Sequence, residues 1–243
     1  MKKIKKFNTV YLSGWYGYQN SGDDALLLLM TEMIRSVPVD IRIFIRTLKS
    51  AMLPSLSDCV QVKYSSHWFK GQVFLNTIFD IINSDVLVFG GGSTISDADQ
   101  KRINGLHSMH RLCSVARCKG VPIIFSALGL GPLNTPEGRI IAKKILNMAE
   151  LVDVRDSYSK KLCQELNISS QWVQGFDPAV LLTDYFDSPY ATYSNSSKPS
   201  IGISLSQSPG TISGRDNNFA CRIDCVVDAM KKLSKSNDSQ NLI

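Results

Sequence analysis

Segments with strand character and segments with helix character alternate along this chain from residue 9 to about residue 182, and few architectures accept that alternation. "TVYLS" (9–13) is a β-branched and aromatic run, followed by an apolar run of helical spacing over 22–37. "IRIFI" (41–45) is a second strand, and a loop-rich stretch to about 68 holds "VQVKY". A helix over 69–82, the strand "DVLVFGGGS" (85–93), a helix over 99–119 and the strand "VPIIFSALG" (121–129) follow in order. The series closes with a helix over 136–150, the short strand "LVDVRD" (151–156), a helix over 157–167 and "SSQWVQGFDPAVLL" (169–182). Short apolar runs separated by helical periods mark βα units. Right-handed crossovers then give a parallel sheet with helices on both faces. The expected fold class is α/β, a doubly wound, Rossmann-like parallel sheet.

Composition changes at Asp184. "DYFDSPYATYSNSSKP" (184–199) is rich in Ser, Tyr, Asn and Pro, as linkers are. Beyond it stand one strand pattern, "SIGISLS" (200–206), and one amphipathic helix pattern, "FACRIDCVVDAMKKL" (219–233). One strand and one helix bury too little surface to fold alone. The expected organisation is therefore a complete domain over 1–183, a linker over 184–199, and an incomplete second domain over 200–243.

The net charge of +6 favours anionic partners. Four of the lysines behind it stand in "MKKIKK", read here as a solvated lead into the first strand. Cations elsewhere are scattered without interleaved aromatics, so no nucleic-acid partner is expected. The longest apolar run, "ALLLLM", cannot span a bilayer, and no secretory h-region follows the basic start. The expected location is cytoplasmic, with peripheral membrane contact allowed. Six cysteines without a CxxC pair read as reduced thiols. His110, Cys113 and Cys118 lack tetrahedral spacing and a fourth ligand, so no metal is expected. His107 and His110 follow Ile103 on the apolar side of their helix and read as partly buried imidazoles.

In open parallel sheets, ligands bind beyond the carboxyl ends of the strands. Three segments of unusual composition fall there. The first, "GWYGYQNSGDD" (14–24), has Gly14 and Gly17 for tight turning, and Ser21 with Asp24 in an N-cap pattern. The helix behind it is expected to bury Leu26, Leu29, Met30, Met33 and Val37. Capping leaves the aromatics and Asn20 unexplained. Ring faces beside amide and carboxylate groups suit a sugar, against the alternative of a purely structural turn. The second segment, "GGGSTISD" (90–97), reads as a glycine loop, Gly90, Gly91, Gly92 and Ser93, able to turn amides toward a polar ligand. It is neither a P-loop nor a GxGxxG fingerprint. The third, "ALGLGPL" (127–133), adds Gly129 and Gly131. "VRDSYS" (154–159) then puts Arg155 at a strand end, with Asp156 or Ser157 capping the next helix. A guanidinium at that place suits a carboxylate or phosphate, or a surface ion pair.

"GWYGYQNSGDDALL", "DVLVFGGGSTISD", "GVPIIFSALGLGPL", "VDVRDSYSKKLCQELNI" and "GFDPAVLL", in this order and spacing, resemble the polysaccharide pyruvyl transferase family. The resemblance runs over about residues 8 to 205. It implies two Rossmann-like domains facing across a cleft, a GT-B-like arrangement. It also implies transfer of pyruvyl from phosphoenolpyruvate, a co-substrate and not a cofactor, to a sugar of a cell-envelope or exopolysaccharide precursor. By resemblance Arg155 contacts phosphoenolpyruvate, and the 14–24 loop faces the acceptor sugar. Tyr16 and Tyr18 are then candidate platforms, and Asn20, Asp23 and Asp24 candidate hydroxyl partners. The resemblance places the general acid, with a family histidine, in the C-terminal domain that this sequence only begins. A lipid-linked acceptor would bring peripheral membrane association. Two alternatives stand beside this reading: a GT-B glycosyltransferase using a nucleotide sugar, and a non-catalytic sugar-binding or assembly protein.

Overall fold

The computed structural model describes residues 7–18, 20–48, 51–65, 70–185, 226–229 and 231–232. The chain divides into two compact units, Met1–Phe186 and Asp187–Ile243. In the second, Val226–Ala229 and Lys231–Lys232 are helical, inside the helix expected over 219–233. The strand expected over 200–206, the linker beyond Tyr185 and the GT-B-like arrangement lie outside the described residues.

The first unit is built on seven parallel strands: β1 (Thr9–Ser13), β2 (Arg42–Leu48), β3 (Val60–Ser65), β4 (Val86–Ile95), β5 (Ile123–Leu130), β6 (Leu151–Val154) and β7 (Gln171–Gln174). Their order is β3-β2-β1-β4-β5-β6-β7. The chain therefore winds outward from β1 in one direction and from β4 in the other, and the switch point lies between those two strands. The α/β Rossmann-like class expected from the alternation is the class observed. The helices are α1 (Ser21–Arg35), α2 (Lys70–Ile82), α3 (Gln100–Cys118), α4 (Pro136–Leu146) and α5 (Ser157–Leu166). A 3-10 turn (Pro178–Leu181) and the short α6 (Leu182–Tyr185) end its described residues.

Two cores follow from the winding. On one face Ile81 of α2, Leu106 and Cys113 of α3, Ile141 and Ile145 of α4 and Leu162 of α5 pack on Leu87, Phe89, Phe125 and Val152. The Phe89 and Phe125 rings stack with centroids 4.7 Å apart. On the other face Leu27 and Met30 of α1 pack on Val10, Leu12, Ile43 and Ile45. Parallel strands covered on both sides become near-continuous apolar runs, which is why "VLVF" lacks alternation.

Three local expectations are corrected. The strand expected over 85–93 runs to Ile95, so the loop expected over 90–97 is shorter: β4 pairs Gly90 with Ser126 and Gly92 with Leu128, and its register shifts only between Gly92 and Ile95. Helix α1 buries Leu26, Leu27, Leu29, Met30 and Thr31 but leaves Met33 exposed, and Val37 lies beyond its end, also exposed. His107 is exposed and paired with Glu137 at 2.9 Å, not partly buried. At the edge of the sheet Asp80 of α2, almost fully buried, holds Arg46 of β2 and Lys63 of β3, the latter at 2.8 Å. Two cations around one carboxylate let that charge leave water.

Candidate functional site

The loop after β1 folds back on its own strand. Tyr16 is 1% exposed, and its hydroxyl donates to the Gly90 carbonyl at 2.9 Å. Its ring lies against Gly14, where any Cβ would collide with it, and a Cβ at Gly90 would come within 2.6 Å of its hydroxyl oxygen. Burial, with the Asp23 carboxylate adding to it, pushes the phenol pKa far above its ordinary value. A ring enclosed in this way offers no free face, so Tyr16 is a pillar of the loop and not a sugar platform. The Thr47 hydroxyl ties the Tyr16 carbonyl at 2.9 Å. Trp15 and Tyr18 take the other direction. Trp15 is 54% exposed and stacks on the half-buried Tyr18 with centroids 4.1 Å apart.

The cap of α1 is Asn20, not Ser21. Its side-chain oxygen accepts from the Gly22 amide at 3.2 Å, and its amide nitrogen donates to the Asp23 carboxylate. Asp24 reaches back and accepts from the Gly17 amide at 2.8 Å. Gly17 sits at φ +80, so this closure needs a residue without a Cβ. Asn20 and Asp24 thus have structural work in the loop. Asp23 remains half-buried at the helix start. Burial and the neighbouring Asp24 raise its pKa, and Arg155 opposes that rise.

That opposition brings the second element into the site. The Arg155 guanidinium lies across Gly129, where a Cβ would stand 3.0 Å from both Nε and Nη2 and 2.9 Å from the Ser93 hydroxyl. Nη2 donates to Ser93 Oγ at 3.2 Å, and Nη1 donates to Asp177 Oδ2 at 2.7 Å. Asp156, the observed cap of α5, has a carboxylate oxygen 3.8 Å from Nε. Beside them Gly91 and Gly92 adopt φ +73 and +79. A Cβ at Gly91 would meet Leu26, and one at Gly92 would lie 3.2 Å from Asp23 Oδ1. The ends of β4, β5 and β6 and the start of α1 therefore meet through Ser93, Gly129, Arg155, Gly92 and Asp23.

The surrounding shell is stiff. Asp97, buried after β4, accepts from the amides of Asn134 and Thr135 at 2.7 and 2.6 Å and from the Thr135 hydroxyl at 2.7 Å. Burial acts to raise its pKa, but these hydrogen bonds outweigh it and the pKa is lowered. Thr135 in turn caps α4. Gly131 donates to the Ile95 carbonyl at 2.8 Å and packs against Leu162 and Tyr158. In β5 Ala127 holds φ +53, a left-handed conformation that costs about 1 kcal/mol outside glycine. Asp153 Oδ2 accepts its amide at 2.9 Å.

Of the residues expected from sequence, Gly92, Ser93, Gly129, Arg155 and Asp23 come together. Tyr18 with Trp15 stands exposed on the same loop. Asp177 and Asp153 were missed. Asp177 carried a signal, an aspartate before Pro178 that caps the 3-10 turn, but nothing local ties it to an arginine 22 residues earlier. Among the described residues no three His, Cys, Asp or Glu side chains gather to hold a metal, and no helix is long and apolar enough to cross a membrane. The four described cysteines are free thiols.

A family model described as polysaccharide pyruvyl transferase matches residues 20–228, most of the chain. The chain belongs to that family. No curated protein matches it significantly. Among solved structures, this pyruvyl transferase family member is similar to a short-chain dehydrogenase/reductase (wide type) from Veillonella parvula DSM 2008 in complex with NADP. The identity is 14%, covering 77% of this chain and 89% of that one, with a TM-score of 0.41. An FMN-dependent Ubix-like decarboxylase from Escherichia coli O157:H7, a dodecamer, matches at 14% identity over 75% of this chain and 95% of that one, with a TM-score of 0.30. At those identities and scores the likenesses carry no functional argument.

Proposed function

We propose that this family member binds phosphoenolpyruvate and a sugar of an envelope or exopolysaccharide precursor at the carboxyl edge of its sheet, and takes part in pyruvyl transfer between them. The observation that carries the reading is the Arg155 guanidinium laid over Gly129 beside Ser93. Glycine at 129 lets the Arg155 guanidinium and the Ser93 hydroxyl approach its backbone closely, and the fork remains partly exposed for an anion. In the reaction, protonation of the methylene carbon of phosphoenolpyruvate leaves an oxocarbenium-like centre at C2. A sugar hydroxyl attacks C2, phosphate departs, and a second hydroxyl closes the ketal. Arg155 would hold the carboxylate or phosphate, with Asp177 and Ser93 fixing the orientation of its guanidinium. Trp15 and Tyr18 would supply the ring faces for the acceptor, and Asp23 a hydroxyl acceptor. The proton donor belongs, under this reading, to residues outside those described. Further cations belong there too, since one guanidinium facing Asp177, Asp156 and Asp23 cannot balance a phosphorylated carboxylate alone. The setting proposed is cytoplasmic, with the acceptor on a lipid or nucleotide carrier.

One observation favours a second reading. Arg155 is already paired with Asp177, as in a site that recognises sugar hydroxyls without a donor. Calorimetric titration with phosphoenolpyruvate, a nucleotide sugar and glycan fragments, together with phosphate release, separates the readings. Saturable phosphoenolpyruvate binding lost in Arg155→Ala supports pyruvyl transfer. Nucleotide-sugar binding points to a glycosyltransferase, and glycan binding unaffected by Arg155→Ala to a non-catalytic binder.

A further inference from the structure

Helix α2 packs Ile81 inward but carries further apolar side chains on its outer face, which a helix that only covers a sheet does not need. Leu75 is 64% exposed, Phe79 63% and Ile82 37%. They stand at i, i+4 and i+7, so they form one stripe along the helix. The other exposed positions on this face are Gly71, Gln72 and, just beyond the helix, Asn83, none of them charged. The helix has one acidic residue, Asp80, which is buried and neutralised by Arg46 and Lys63. A solvated helix face normally carries charge, and among the described side chains this one carries none.

The neighbouring helix supplies charge of a single sign. Between Gln100 and Cys118, α3 holds Lys101, Arg102, Arg111 and Arg117 and no acidic residue, and Lys119 follows it. Arg111 leans over the Phe74 ring of α2, 5.6 Å from its centroid, so this cation stands beside the helix that carries the stripe. Lys101 and Lys119 are exposed. The nearest carboxylates on this helix layer are set at its margins. Asp99 precedes α3 beside Arg102, Glu137 pairs with His107 from α4, and Glu150 meets Arg117 at 3.5 Å.

We infer that the α2–α3 face is a contact surface for an anionic lipid bilayer. Apolar side chains entering the headgroup boundary beside cations that attract anionic lipid is the pattern of interfacial membrane contact. Charge decides between the bilayer and a second copy of this chain. A two-fold self-interface that buries the stripe would draw two cation-rich α3 flanks together with no carboxylate in α3 to pair them. An anionic bilayer meets both the stripe and its flank.

The test is sedimentation of the full chain with vesicles of phosphatidylglycerol and phosphatidylcholine, against vesicles of phosphatidylcholine alone, at low and high salt. The expected result is binding to the anionic vesicles that salt weakens. The double variant Leu75→Ser, Phe79→Ser should lower the partition constant about tenfold or more, and Arg111→Glu severalfold. These side chains are exposed, so circular dichroism and the urea midpoint should stay at the wild-type values. A second pair, Leu75→Lys and Phe79→Lys, separates the stripe from general attraction of the N-terminal lysines. It adds charge while removing apolar surface, and binding should still fall. Unchanged or increased binding by either double variant overturns the inference, as does equal binding to neutral vesicles or none to anionic ones. Light scattering that shows a dimer dissociated by Phe79→Ser would assign the face to self-association and overturn it as well.

Discussion

Replacing Tyr16 with phenylalanine removes one oxygen from a ring that is 1% exposed, and the expected loss is one of stability and not of sugar binding. The hydroxyl donates to Gly90 across 74 residues of sequence, in a place water does not reach. Losing a buried hydrogen bond costs about 1–2 kcal/mol. The ring itself fills the space between Gly14 and Gly90, so Tyr16→Ala should cost about 3–5 kcal/mol through the cavity it leaves. Urea unfolding followed by tryptophan fluorescence and circular dichroism measures both. The midpoint should fall with little change in the slope for phenylalanine, and further for alanine. Glycan titration of the phenylalanine variant at a temperature where it stays folded should give wild-type affinity, whereas Tyr18→Ala should weaken binding severalfold. A phenylalanine variant with an unchanged midpoint and weakened glycan binding would refute the reasoning, because the ring would then be a platform and not a pillar.

Gly129→Ala places a methyl group against the Ser93 hydroxyl and the Arg155 fork, and should weaken phosphoenolpyruvate binding about tenfold or more while the melting temperature moves by a few degrees. Asp80→Ala strips the partner from Arg46 and Lys63 and should cost about 3–5 kcal/mol by denaturant unfolding. Asp97→Ala leaves the amides of Asn134 and Thr135 unpaired, and a loss of about 2–4 kcal/mol is expected in the same measurement. For alkaline pH, burial chiefly pushes Tyr11 up to about 12, with Thr77 opposing and Asp80 reinforcing, so the native state keeps a proton that the unfolded chain releases near pH 10. That contribution is full below pH 10 and falls by about 1.4 kcal/mol per pH unit up to about 12, and Tyr11→Phe should flatten the decline in pH-dependent urea midpoints.

Some of the candidate site was legible in the residues themselves. Arg155 after a strand, Ser93 after three glycines and Asp23 at a helix start are local statements, and all three residues lie together. The "GGG" run was read as a loop because glycine punctuates loops. In the folded protein the run pairs with β5, and the positive φ angles of Gly91 and Gly92 admit Leu26 and Asp23 to close approach. Asp177 was not legible as a partner of Arg155, since the pairing exists only once β6 and the segment after β7 lie side by side.

Periodicity and punctuation are short-range, so the sequence by itself determined the order of the βα units, the class of the sheet and the loops that reach its carboxyl edge. Which side chain of a loop turns inward is a long-range matter. Tyr16 and Tyr18 are two residues apart and chemically alike, yet one is enclosed and the other half-exposed, because Gly14 and Gly90 together leave a slot at one position only. The same holds for α2, where the pattern shows an apolar helix and only the packed structure decides that Leu75 and Phe79 face outward.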